Sequence, residues 1–122
     1  MSPRSAAVIL VVDDDAAVRD SIVAILADAG YHVRTATNGA EGIQAMLERR
    51  PDAILVDWRM PVMDGLTFCD TQRRLEGFEA IPTIMMSGHE GASAEGLHTA
   101  AFLAKPFNMT DLLGEVRAAL QG

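Results

Sequence analysis

Cysteine is almost missing from this chain. Cys69 is the only one in 122 residues, so no internal disulfide can form, and the composition suits a reducing compartment. Its simplest role is that of a small apolar packing residue. Positive charge is also scarce: 10 Lys and Arg stand against 17 Asp and Glu, a net charge of −7. Apart from Arg49-Arg50 and Arg73-Arg74 the basic residues are scattered, which argues against direct binding to a nucleic acid backbone, since that needs a concentrated cationic surface. Membrane-length apolar runs are missing too. The run from Ala6 to Val12 is far too short to span a bilayer and meets three aspartates at once, so it is neither an anchor nor a signal peptide. The expected address is the cytoplasm. Internal repeats, low-complexity tracts and linkers are also not visible.

What is present is the balance of an ordinary globule, 49% hydrophobic and 22% charged. The length fits one core, and residues 1–122 are read as one domain. Val8-Ile9-Leu10-Val11-Val12 is a continuous β-branched-rich run, the pattern of a strand buried on both faces of a parallel sheet. Weaker runs at His32 to Ala36, Ala53 to Val56, Ile81 to Met86 and Ala101 to Ala104 make five candidate strands. Between them the period becomes helical: Val18, Ile22, Ile25, Leu26 and Ala29 share a face, as do Ile43, Met46 and Leu47, and later Leu112, Leu113, Val116, Ala119 and Leu120. Asn38 with Glu41 reads as a capping box, and Gly30 sits where a helix-terminating glycine belongs. Such alternation predicts right-handed βαβ units and an open, doubly wound α/β fold, whose ligands gather beyond the carboxyl ends of the strands.

Residues at those ends are chemically consistent. Asp13, Asp14 and Asp15 follow the first strand, Asp57 the third, Ser87 the fourth and Lys105 the fifth. Carboxylates gathered this closely repel by about 4 kcal/mol per pair at 4 Å in an effective dielectric near ~20. Either a proton or a cation must relieve them, and hard oxygen ligands of this kind suit Mg²⁺. A lysine ammonium and a hydroxyl complete a site able to bind a phosphoryl group, with a carboxylate as nucleophile. Asp15, directly ahead of Ala16-Ala17-Val18, is assigned to helix capping; Asp64-Gly65 reads as turn chemistry, and His89 and His98 as solvated loop residues.

Four segments together resemble the receiver domains of bacterial response regulators over nearly the whole chain: Val11-Val12-Asp13-Asp14-Asp15, Asp57-Trp58-Arg59-Met60-Pro61-Val62-Met63-Asp64-Gly65, Met86-Ser87-Gly88 and Lys105-Pro106-Phe107. The resemblance implies a flavodoxin-like (βα)5 domain with strand order 2-1-3-4-5. It further implies that Asp57 is phosphorylated, that Asp14 and Asp57 ligate Mg²⁺ directly with Asp13 holding metal-bound water, and that Arg59 adds its backbone carbonyl. Ser87 would reach toward the phosphoryl group, Phe102 would be the switch aromatic that turns inward, Lys105 would bridge to phosphate or fluctuate near Asp57, and the bond from Lys105 to Pro106 would be cis. A sensor histidine kinase or a histidine phosphotransfer protein would be the donor, a downstream protein the target, and the chain a monomer or a phosphorylation-dependent homodimer. Enzymatic turnover is not expected beyond self-phosphorylation and autodephosphorylation.

The span between Ser87 and Lys105 is shorter than in most members of that family and contains Gly91 and Gly96, so a shortened or irregular fourth helix is expected. His98 and Thr99 stand where the family has a glycine. Arg59 and His89, each two residues past a site residue, are placed to tune hydrolysis of an acyl phosphate. A second reading is a phosphohydrolase of the haloacid dehalogenase type with Asp13 as nucleophile. It requires Thr or Val where Ala17 stands and leaves the Asp57 motif unexplained. A third is a fragment of a hybrid kinase, or a binding module with a silent site.

Overall fold

Residues 6–88 and 101–121 are described by the computed structural model of the chain. The apolar run Val8–Val12 is strand β1, buried at every position, because it lies mid-sheet with a helical layer on each side. The remaining elements follow in the order α1 (Ala16–Asp28), β2 (His32–Ala36), α2 (Gly39–Glu48), β3 (Ala53–Asp57), α3 (Gly65–Arg74), β4 (Thr83–Ser87), β5 (Ala101–Ala104) and α4 (Met109–Gln121). All neighbouring strands are parallel, in the order β2-β1-β3-β4-β5. This is the doubly wound flavodoxin-like arrangement expected. The segment where a shortened or irregular fourth helix was expected, with His89 and His98, falls outside the described residues.

Alternation within each strand divides the core in two. Ile9, Val11, Leu55, Ile84 and Met86 meet Ile22 and Leu26 of α1 and Leu112 and Val116 of α4. Leu10, Val12, Val56 and Met85 meet Met46 of α2 and Phe68 of α3. Burying each such side chain is worth roughly 1.5–3 kcal/mol, so both faces hold the sheet. Cys69 is buried in the second layer; burial pushes its thiol up to about 12 against the opposing charge of Arg73, which fits the packing role.

Several boundaries depart from the sequence reading. The fourth strand begins at Thr83 rather than Ile81, because the Ile81 carbonyl is taken by the Gln72 amide at 3.0 Å and Pro82 has no N–H to place in a ladder. Asp57 and Ser87 are the last residues of their strands, not the first beyond them. Leu47, expected on the apolar face of its helix, is 52% exposed. Ala29 caps α1 and is exposed, with Gly30 following at φ +98°. Asn38 does cap α2, accepting from Glu41 N, but the Glu41 carboxylate closes the box on Thr37 N and Oγ1 instead of on Asn38. Among the described residues no helix is long and apolar enough to cross a membrane.

Candidate functional site

β1 and β3 are adjacent in the sheet, yet the chain leaves β1 toward β2 on one side and β3 toward β4 on the other. Their carboxyl ends therefore open a crevice at the point where the winding reverses, and Asp13 and Asp57 stand there. Backbone bonds beyond the strands hold it: Asp13 N donates to Ala36 O, Trp58 N to Met86 O at 2.8 Å and Lys105 N to Ser87 O at 2.7 Å. The site is thus an extension of the ladders rather than of free loops.

One carboxylate oxygen each from Asp13, Asp14 and Asp57 lies within 4.8 Å of the others. Asp13 and Asp57 are buried, whereas Asp14 is exposed. Lys105 Nζ sits between the buried pair, 2.8 Å from Asp13 Oδ2 and 3.0 Å from Asp57 Oδ1. Asp13 Oδ1 also accepts from Asp15 N at 2.9 Å, so both oxygens of that carboxylate are engaged while Asp14 faces solvent. Burial raises the pKa of Asp57; the hydrogen bond and charge of Lys105 oppose this and the negative charges of Asp13 and Asp14 reinforce it. For Lys105, burial acts against the ammonium, but its bonds to Asp13 and Asp57 outweigh burial and raise its pKa.

A cavity of roughly 270 Å³ lies over this cluster, lined by Asp57, Trp58, Arg59, Ser87, Gly88 and Lys105. Ser87 is buried in its wall and Arg59 is exposed at its mouth. Phe102 is half-buried and meets Trp58 edge to face, with centroids 5.9 Å apart at 64°. The Lys105–Pro106 bond is cis. The structure therefore gathers Asp13, Asp14, Asp57, Arg59, Ser87 and Lys105 at one sheet edge, with Phe102 one contact away through Trp58. Three negative charges against one ammonium leave two unbalanced, the charge of a single divalent ion, and anionic oxygens at this spacing are a donor set that Mg²⁺ accepts.

Two residues read in the sequence only as turn chemistry have further structural roles. Asp64 caps α3, accepting from Thr67 N at 2.8 Å. Gly65 packs so tightly behind the site that a Cβ there would lie 2.5 Å from Asp57 O and 2.7 Å from Met85 Sδ. Asp followed by Gly signals a turn, and nothing in that signal reports a close approach across the fold. Between them and Asp57, Met63 N donates to Pro61 O at 2.7 Å around Val62, which has φ +70° and is 84% exposed. Such a γ-turn strains a β-branched residue.

Residues 9–117 match the sequence model of the response regulator receiver domain. The chain is similar to RpaA of Synechocystis sp., a DNA-binding dual master transcriptional regulator, with 36% identity over 117 residues covering 93% of this chain and 48% of RpaA. It is 39% identical over 118 residues to the response regulator MprA of Mycobacterium tuberculosis, covering 93% of this chain and 50% of MprA. The chain thus spans about half the length of these two regulators. Among solved structures, the chemotaxis protein CheY4 of Vibrio cholerae superposes with a TM-score of 0.87 at 31% identity, covering 94% of this chain and 99% of CheY4.

Proposed function

Because the chain belongs to the response regulator receiver domain family of two-component systems, we propose that Asp57 is the residue phosphorylated and that a sensor histidine kinase or histidine phosphotransfer protein is the donor. An oxygen of the Asp57 carboxylate attacks phosphorus, the P–N bond to the donor histidine breaks, and the imidazole leaves with the electron pair. The observation that carries this reading is Lys105 Nζ, bonded at once to Asp13 and Asp57 on the floor of a cavity with space for one small anion. The ammonium offsets the charge of the arriving group, and Ser87 in the wall donates to one of its oxygens.

Asp14 and Asp57 would hold Mg²⁺ directly with the Arg59 carbonyl, and Asp13, whose oxygens are already engaged, would hold a water of that ion. When bound, the cation neutralises charge on the phosphoryl oxygens. Asp13 as a dehalogenase-type nucleophile is disfavoured by the same geometry, since its carboxylate is fully buried and both oxygens accept hydrogen bonds.

Phosphorylation shifts a two-state equilibrium through Ser87 and Phe102, with self-hydrolysis of the acyl phosphate returning the resting form. The readout is control of a protein partner in the cytoplasm, by a monomer or by a homodimer that phosphorylation favours. Incubation with Mg²⁺ and acetyl phosphate, followed by mass mapping of the labile adduct, tests the reading. The adduct is expected on Asp57 and absent from Asp57→Asn; an adduct on another residue overturns it.

A further inference from the structure

Arg19 lies one turn into α1 and belongs to none of the motifs above. Its Nη1 donates to the main-chain carbonyl of Asp13 at 2.7 Å, in a half-buried position. That carbonyl lies beyond the last β1 residue paired in the ladder, where Val12 pairs with Ala36 and Val56, so the guanidinium gives it a donor that the sheet does not. Asp13 is then held on every polar atom: its N–H by Ala36 O, its two carboxylate oxygens by Asp15 N and Lys105 Nζ, and its carbonyl by Arg19. The next residue in the chain is Asp14, the exposed carboxylate of the cluster.

We propose that Arg19 is a positioning residue for divalent-cation binding: it clamps the Asp13 carbonyl so that the peptide leading to Asp14 cannot turn and carry the Asp14 carboxylate away from Asp57. The clamp matters because the two acids repel one another, and a mobile bend would let them separate before a cation arrives. Groups that orient metal ligands in this way commonly change affinity by 10–100-fold when removed. The inference rests on the cation site proposed above, and it deepens that reading.

Charge alone makes the opposite prediction. A guanidinium near the cluster repels a cation, so deleting it would tighten binding if Arg19 acted only through its field. The sign of the change therefore separates a clamp from a charge. The experiment is a Mg²⁺ titration of the full chain, read by Trp58 emission and independently by the Mg²⁺-dependent rise in Tm, for wild type, Arg19→Ala, Arg19→Gln and Arg19→Lys. The clamp predicts affinity at least tenfold weaker in Arg19→Ala, partial recovery in Arg19→Lys or Arg19→Gln, and near-normal labelling by acetyl phosphate once Mg²⁺ is saturating. A metal-free Tm that falls with unchanged or tighter Mg²⁺ binding would show a purely structural bond and overturn the clamp, while leaving the cation site standing. A wild type that shows no response to Mg²⁺ in either readout would remove both.

Discussion

Lys105 is held by two carboxylates in a position where burial alone would disfavour its ammonium form. Burial lowers its affinity for the proton; the bonds to Asp13 and Asp57 more than restore it. Since the folded value lies above the ordinary 10.5, the stabilising contribution of the Lys105 ammonium is complete at neutral pH, and on the alkaline side it is lost as pH rises through that raised value. Lys105 is the sole lysine of the chain, so the ¹³Cε resonance of lysine-labelled protein reports it without ambiguity. The resonance is expected to titrate above 10.5, and lower in Asp13→Asn than in wild type. Titration of the wild type below 10.5 would contradict the paired geometry. At this scale the gathering of Asp13, Asp14, Asp57, Ser87 and Lys105 at one place was legible in the sequence, because a polar residue that ends an apolar strand stands out by contrast. Arg19 and Gly65 were not, since a guanidinium reaching back to a carbonyl and a backbone touching a strand leave no periodicity to read.

Among the elements, α3 was anticipated only because α/β folds alternate; no apolar face was assigned to it. Its observed start depends on Asp64 as cap and on Gly65, whose missing side chain lets the helix rest on Asp57 O and Met85. Replacing Gly65 with Ala forces either the helix or the end of β3 to shift, a kind of overpacking that costs about 1–3 kcal/mol. Gly114, inside α4, is the control: a Cβ there meets nothing within 4 Å, and alanine in an exposed helix interior gains about 1 kcal/mol over glycine. Thermal melts should therefore move in opposite directions, down for Gly65→Ala and up for Gly114→Ala. Labelling of Asp57 by acetyl phosphate should slow only in the first, because only there does the added carbon press on the Asp57 backbone. Equal melting temperatures for Gly65→Ala and wild type would mean that α3 does not seat as described. The same dependence on partners explains the other boundary errors. Strand four starts late because Gln72, distant in sequence, captures the Ile81 carbonyl, and Leu47 is apolar by composition but lies outside the packed stripe of α2.

For the whole molecule, the two-layered burial of β1 and β3 was readable from their unbroken apolar runs, whereas the strand order followed from family resemblance and not from any residue pattern. That order forces the acids together at the winding reversal, and the fold bears the electrostatic cost. Burial first, then Asp13 and Asp14, raise the pKa of Asp57 above its ordinary 3.8 despite Lys105. A carboxylate raised on folding binds its proton more tightly in the native state. The native protein therefore loses stability, relative to the unfolded chain, as pH climbs from 3.8 through the folded value. A proton and a divalent cation relieve the same repulsion and must compete. Saturation at a hundredfold excess over Kd stabilises a fold by about 2.7 kcal/mol, and this increment should shrink as acid protonates Asp57. The Mg²⁺-induced rise in Tm is accordingly expected to be small at pH values just above 3.8 and to grow toward neutrality. Asp57→Asn should melt higher than wild type at neutral pH without metal, since a buried charge beside Asp13 and Asp14 has gone and this outweighs the lost bond to Lys105, and it should lose most of the Mg²⁺ increment. A Mg²⁺ effect of constant size across this range, or one kept intact in Asp57→Asn, would place the cation away from the acids at the head of the sheet.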